Sequence, residues 1–571
     1  MMKPFISRHW VALVSAISIC ACVPAVSNVP PESLQPEVGS EYTDNSYYYY
    51  TEAQLALKKG QVDQAIELLL KASEMDPTSV FLDLELASLY LSQKKTTQAL
   101  LALEKGLAMD PEHLEALILY GNINQTLKQN DKAKQAYIKA IEIAPDKEER
   151  VYLLLGDILM DEGDLDGAFD IYQRLVDTFP ASFAGHFFLG KIHAEKDRPD
   201  KAEAAFKRAL VLEPELEEGR FELLKIYKTS GETDKARALY QELLKNNPKN
   251  IRAAMELGLF YQKNGFMQES ENLLKDLGLR SKQDPEIIRK VIQLYIDPKQ
   301  YDDAIVVLEG MLKDMQDSSD LQYLAGISYD GKGDDNKAMA SFKLVTPDNR
   351  FYENAVVHIS LLYQEQQKIA EAIAHIKAAI ENVPDNPEFM LYLGSFYEEM
   401  EAYGDAETVL KRGLDIDPEH IRIQFRLGVV YDKWGKKSAS IAAMKKVIAL
   451  DPENANALNY LGYTYADMGT NLDEAESLIR KALKHKPDDG YITDSLGWVL
   501  YKKGLFQEAL IYLEKAVKLT ADDPIILEHL GDAYLQINDK ENALKYYQKS
   551  LQLKTEDTKI LEDKINDLLE P

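Results

Sequence analysis

A small residue, usually Gly, is followed three residues later by Tyr, then by Ala nine residues on, with Pro closing the unit. This pattern returns every 34 residues from about Tyr47 to the C-terminus. It is plain in Gly428, Tyr431 and Pro452, then in Gly462, Tyr465, Ala475 and Pro487, then in Gly497, Ala509 and Ala516. A period of that length predicts a stack of helical hairpins, each burying its apolar face only against its neighbours. The 571 residues therefore need no division into several globular cores, and a binding scaffold is the leading expectation.

With the small residue set at position 8, fifteen units fit residues 46–557. They start at Ser46, Val80, Leu114, Glu149, Phe183, Glu217, Ile251, Pro285, Ser319, Glu353, Pro387, Ile421, Ala455, Gly490 and Pro524. Two single-residue insertions interrupt the count, one near Glu148 and one between Met468 and Asp473. In the thirteenth unit the first helix carries Leu458, Leu461, Gly462 and Tyr465, and the second carries Ala475, Leu478, Ile479, Ala482 and Leu483. A short loop between them makes the pair antiparallel. Position 8 (Gly156, Gly190, Gly258, Gly394) is expected to face position 20 (Ala168, Ala202, Ala236, Ala304) at the crossing. A helical Gly costs about 1 kcal/mol against Ala, so its recurrence at one position implies a packing use. Tyr90, Tyr227, Tyr261, Tyr295, Tyr329, Tyr363 and Tyr397 are expected to fill the wedge between hairpins. Pairs such as Asp76-Pro77 and Asp451-Pro452 end the second helices, since Pro removes an amide and clashes with the preceding turn.

The motif Leu461-Gly462-x-x-Tyr465, followed by Ala475, Ala482 and Pro487, resembles the tetratricopeptide repeat (TPR). The likeness implies an all-α, right-handed superhelical solenoid of about fifteen antiparallel hairpins with a C-terminal capping helix. The expected divisions are a signal at 1–21, a tether at 22–45, and an N-terminal array of units 1–7 at 46–284. Less regular units 8–9 follow at 285–352, then units 10–15 at 353–557 and a cap at 558–571. The middle is weakest: Ser270 replaces Ala, Ile292 stands at the Gly position, and the closing Pro is shifted to Pro347. A kink or looser joint is expected there. Ile560, Leu561, Ile565 and Leu568 give the cap one apolar face.

The two ends of the composition point the same way. A net charge of -28 argues against nucleic acid as a partner. The only cysteines are Cys20 and Cys22, so the repeats hold no disulfide and no cysteine metal site. Lys3, Arg8 and His9 precede an apolar run from Trp10 to about Ile19, which reads as a secretory signal too short to span a membrane. Ile19-Cys20-Ala21-Cys22 resembles the lipobox of bacterial lipoproteins, apart from Cys20 where Ala or Ser is usual. That likeness makes Cys22 the lipidated residue, and Val23, in place of an Asp, favours the outer membrane. Residues 24–45, rich in Pro, Ser, Val and Glu, read as a tether.

In the TPR family the first helices line the concave face, and specificity lies at positions 2, 5, 6, 9, 12 and 13. Near the C-terminal end these supply Arg422, Arg426, Lys433, Asn456, Asn459, Tyr463, Tyr491 and Trp498. Arg as a forked anion donor, Asn for peptide groups and aromatic rings for apolar contact suit an extended peptide. Only fragments of the family's carboxylate-binding Lys-Asn-Asn-Lys-Arg arrangement are present. Tyr47–Tyr50 is expected to cover the N-terminal edge. Asp330-Gly-Lys-Gly-Asp334-Asp335 lacks the calcium-loop order, and Gly331 and Gly333 open no phosphate loop. His186 and His193 read as structural. No catalytic residue, metal ligand or cofactor is expected. The chain resembles large TPR lipoproteins of the Gram-negative envelope, which implies a membrane-anchored, periplasm-facing adaptor that binds envelope proteins or peptides and presents a processing protease or an assembly complex. Exopolysaccharide export, type IV pilus or secretin assembly, and a purely structural scaffold are the alternatives; an enzyme is the least favoured.

Overall fold

The computed structural model describes residues 45–555 and 558–569. Among them every regular element is helical. The expectations for the signal, Cys22 and the tether lie outside these residues. The chain divides into two compact units between Glu232 and Thr233.

The first unit runs through five hairpins, from Ser46–Lys58 with Val62–Met75 to Phe183–Glu195 with Pro199–Leu212, and then Glu217–Thr229. The second opens on Thr233–Asn246, continues through hairpins from Ile251–Lys263 with Met267–Ser281 to Pro524–Gln536 with Lys540–Leu553, and closes on Lys559–Leu569. First helices begin at the fifteen positions set by the spacing, except that the tenth begins one residue earlier at Tyr352. Many are started by a side chain at the preceding residue: Asn45, Ser182, Asn250, Asn386, Asn454, Asp489 and Asp523 each accept a hydrogen bond from an amide of the first turn, filling one of the donors a helix start leaves open.

The small residue at position 8 makes room for a large side chain of the second helix. A Cβ on Gly156 would fall onto the Tyr172 ring, and one on Gly190 would lie 2.7 Å from the Phe206 ring. In the second unit Leu274 sits against Gly258, Phe342 against Gly326, Leu410 against Gly394, Leu513 against Gly497 and Tyr547 against Gly531. The partner is position 24 each time, displaced by one residue only at Gly462 and Ile479, where the insertion falls. Position 20, expected as the direct partner, contributes its backbone instead: the Ala509 carbonyl oxygen is 3.2 Å from a Cβ built on Gly497.

Each hairpin turn also carries one residue of positive φ at position 15. Gly fills it at Gly163 (φ 79°), but Lys128 (60°), Gln367 (59°) and Glu401 (57°) do the same elsewhere. In the thirteenth turn Gly469 and Asn471 both have positive φ, which absorbs the inserted residue.

Where position 11 is tyrosine, its hydroxyl can tie a hairpin to the preceding one. Tyr431 Oη donates to Glu407 Oε1 at 2.8 Å, Tyr534 to Glu514 at 2.6 Å, and Tyr227 to Glu203 at 2.9 Å. Glu407 also receives Lys411 at 2.7 Å and Lys436 at 3.2 Å. The hydrogen bonds of Lys411, then of Tyr431, outweigh its partial burial and hold its carboxyl down to about 2.

The irregular middle is local. Ile292 stands at position 8, and there the backbone widens into a π-helical segment, Ile292–Ile296, after Pro285–Val291, whereas Leu224 at the same position sits in the regular helix Glu217–Thr229. Helices Met267–Ser281 and Tyr301–Leu312 then approach through their own glycines: a Cβ on Gly278 would strike the Met311 carbonyl, and one on Gly310 would meet the Leu274 side chain. Ser270 donates to the Gly258 carbonyl at 2.7 Å. The ninth unit's second helix stops early, at Asp335–Phe342, and Ser319 Oγ accepts from the Thr346 amide at 3.1 Å. One buried cluster nonetheless runs from Ile251 to Leu362, so these changes leave the core continuous. At the C-terminus Leu561 and Ile565 are buried as expected, whereas Ile560 is exposed.

Two outcomes are expected. Gly156→Ala should destabilise its hairpin by about 1–3 kcal/mol through overpacking, read as faster amide exchange over residues 149–178. Glu407, whose folded pKa is depressed, adds stability above its ordinary value of 4.5 that is lost as pH falls towards about 2. Glu407→Gln should therefore flatten the acid-side fall of the urea midpoint in that window.

Candidate functional site

Helix Ile421–Lys433 lies between Pro387–Glu399 and Ala455–Asp467 in the row of first helices. Its cations are placed by carboxylates of the preceding helix. Arg422 Nη1 donates to both oxygens of Glu388, at 3.0 and 2.9 Å. His420 Nδ1 accepts from the Ile423 amide at 3.2 Å, which leaves Nε2 as the donor to Glu388 at 3.2 Å. Arg426 Nη1 donates to Glu398 Oε2 at 3.1 Å, and Lys433 Nζ lies 2.9 Å from Oε1. Glu398 is 6% exposed. A buried carboxylate is tolerated only when paired, so this one residue fixes two cations.

Two cavities flank Arg426. One, of about 220 Å³, is lined by Leu391, Tyr392, Ser395, Ile421, Arg422, Phe425, Arg426, Asn454 and Asn456. The other, of about 320 Å³, is lined by Leu361, Gln364, Tyr392, Ser395, Phe396, Glu398, Glu399, Arg426 and Lys433. Tyr392, Ser395 and Arg426 belong to both, so the two form one groove across successive first helices. Arg422, Arg426, Lys433 and Asn456 are thus brought together, with Asn456 Oδ1 accepting from Lys486 at 2.9 Å.

The remaining sequence-derived residues lie apart from the cavity linings. Trp498, 8% exposed, stacks on His529 at 3.9 Å and on Tyr501 at 4.9 Å. His529 Nδ1 is held 3.0–3.1 Å from the two Asp494 oxygens. Tyr463 is half-buried beside His529, with ring centroids 6.4 Å apart. Asn459 Oδ1 and Trp498 Nε1 are buried without a hydrogen-bond partner. These groups build a packed aromatic and polar cluster, while Tyr491 is 58% exposed.

Sequence reading missed Tyr392, Ser395, Glu398 and Phe425. They occupy positions 6, 9, 12 and 5 of their units, so the same numbering locates them; their uncharged or acidic character drew no attention beside the basic residues. Elsewhere, Tyr50 meets Phe81 edge-on at 5.3 Å while Tyr47 is exposed. Asp334 caps the helix that starts at Asp335. Among the described residues no cluster of three or more His, Cys, Asp or Glu side chains is placed to share a metal, and no helix is long and apolar enough to cross a membrane.

If Trp498 is core rather than surface, Trp498→Ala should cost about 3–5 kcal/mol and loosen amide protection over residues 490–536. Tyr491→Ala should stay within about 0.5 kcal/mol of the parent.

Models of the tetratricopeptide repeat match residues 46–79, 90–158, 151–216, 229–290, 363–427, 421–454, 443–477 and 464–563. A TPR repeat-containing protein of Pseudomonas aeruginosa is 48% identical over 50 residues, which is 9% of this chain and 8% of that protein. The solved structure of Naa15/Naa10 bound to HypK-THB is similar at 13% identity, covering 92% of this chain and 96% of that one, with a TM-score of 0.42. For the APC/C hetero-tetramer Cut9-Hcn1 the identity is 16%, the coverage 85% and 95%, and the TM-score 0.38. With repeat matches over most of its length, the chain belongs to the tetratricopeptide repeat family.

Proposed function

We propose that this protein is a lipid-anchored adaptor of the bacterial envelope, which captures an extended segment of a client protein along its C-terminal first helices. Tetratricopeptide repeats are protein–protein interaction scaffolds, and the placing of this one rests on the Ile19–Cys22 lipobox likeness. The observation that carries the capture is the groove itself: two cavities joined through Tyr392, Ser395 and Arg426, at first-helix positions that the hairpin packing does not use. Half-buried Ile421 and Phe425 offer apolar surface, and the neighbouring Arg and Asn groups offer hydrogen bonds to peptide polar atoms. A client held there would be presented to a processing protease or an assembly complex in the periplasm. The repeats supply positioning, with no catalytic role in this reading.

Two substitutions test the two halves separately. Cys22→Ser should move the protein from the membrane to the soluble fraction, and retention by membranes would remove the anchor. Arg422→Gln with Arg426→Gln, which leaves Lys433 paired with Glu398, should strip crosslinked clients from the affinity-recovered protein while circular dichroism is unchanged. Undiminished recovery would remove the groove from the account.

A further inference from the structure

The groove is not uniform in charge along its length. Its 220 Å³ cavity includes no carboxylate residue in its lining; its polar groups are Arg422, Arg426, Asn454, Asn456, Tyr392 and Ser395, over a floor of Leu391, Ile421 and Phe425. Arg422 and Arg426 each donate one nitrogen, Nη1, to a carboxylate. A guanidinium has five N–H donors on three nitrogens, so both retain donors beyond those pairs. Around the groove Arg422, Arg426 and Lys433 are matched by Glu388, Glu398 and Glu399, so what the 220 Å³ cavity offers an acid is unspent N–H donors rather than a net positive charge. The 320 Å³ cavity differs: Glu398 and exposed Glu399 line it beside Arg426 and Lys433, and Glu399 accepts a hydrogen bond from Gln364 at 2.5 Å.

Resting on the capture reading above, we infer that the groove selects an extended peptide segment by charge order: an acidic side chain between Arg422 and Arg426, an apolar neighbour against Ile421 and Phe425, and no second acid towards Glu399. The span fits such a segment. Adjacent helix axes lie about 8–10 Å apart, so crossing the four first helices that supply the lining, Tyr352–Glu365 to Ala455–Asp467, covers roughly 27 Å, or about eight extended residues at ~3.4 Å each. A folded surface would need a flatter and wider contact than two joined cavities. A polyphosphate chain is repelled by the chain's overall charge, and its successive anions would meet Glu398 and Glu399. The segment is internal, because the groove continues past Arg426 in both directions, towards Leu361 and Gln364 on one side and Asn454 and Asn456 on the other. A chain can therefore run through it without ending.

The test is a selection of random octapeptides on the full-length protein, from one library with both ends blocked and one with a free C-terminal carboxylate, followed by fluorescence anisotropy of the enriched sequences. Enrichment of a single acid beside an apolar residue is expected. Changing that acid to its amide, or introducing Arg422→Gln with Arg426→Gln, should weaken binding about tenfold or more. The peptide change leaves the protein untouched, so it keeps the test decisive if the double variant misfolds. A second acid placed on the Glu399 side should weaken binding, and Glu399→Gln should restore it. Enriched peptides without an acid preference, whose binding Phe425→Ala abolishes, would overturn the charge order while leaving the groove reading intact. Peptides that bind only with a free C-terminal carboxylate would overturn the internal segment. Enrichment that is indifferent to Arg422, Arg426 and Phe425 alike, or none at all, would overturn both.

Discussion

Ten of the fifteen hairpins depend on an absent methyl group. At position 8 of most units the first helix shows bare backbone, and a ring or branched chain from position 24 of the second helix lies against it, as Tyr172 does at Gly156 and Leu410 at Gly394. That contact draws the two helices to close range and sets which face of each is inside. Close packing then makes the site intolerant of even one added carbon. Because the first helix spends this face on its own hairpin and the next on its neighbours, its remaining positions are left to solvent or to a ligand.

The eighth unit shows the same rule from the other side. With Ile292 at the Gly position the glycine contact within the hairpin is missing, and the backbone takes a π-helical turn. Small residues still decide where helices meet, but now they are Gly278 and Gly310, and the close pair is Met267–Ser281 with Tyr301–Leu312. The buried cluster from Ile251 to Leu362 is therefore preserved by moving the glycine contact to another pair of helices.

How far the sequence could be read follows from which groups repeat. Helix starts recur at a fixed spacing and are marked by Asn, Asp or Ser caps, so they were legible to within one residue, at Tyr352. The position-24 partner was not, because Tyr, Phe, Leu, Met and Ile all fill it and no single letter recurs. The left-handed turn residue hid for the same reason: Gly163 announces it, but Lys128, Gln367 and Glu401 do not. At the candidate site, Arg422 and Arg426 stood out by charge in an acidic chain. Trp498 stood out by size, yet it lies between His529 and Tyr501. Position numbers tell which residues lie on the first-helix face; they do not tell how far a neighbouring side chain folds over it.

Glu398 is where fold and site cannot be separated. It is buried, so it must be paired, and the pairing aims Arg426 and Lys433 at the groove. Were those cations placed by water alone, long side chains would lose rotamer freedom on meeting a ligand, at about 1 kcal/mol or more each. Held by a carboxylate of the helix before, they meet it already oriented. The cost is a weaker net field, since each pair cancels most of its own charge. An incoming acid therefore gains more from the geometry of the unspent guanidinium donors than from long-range attraction, and selectivity would survive salt better than the rate of encounter does. A scaffold that reads its client this way depends on the repeat spacing to set the distance between Glu398 and the helix after it, and so on the glycine contacts that fix the spacing.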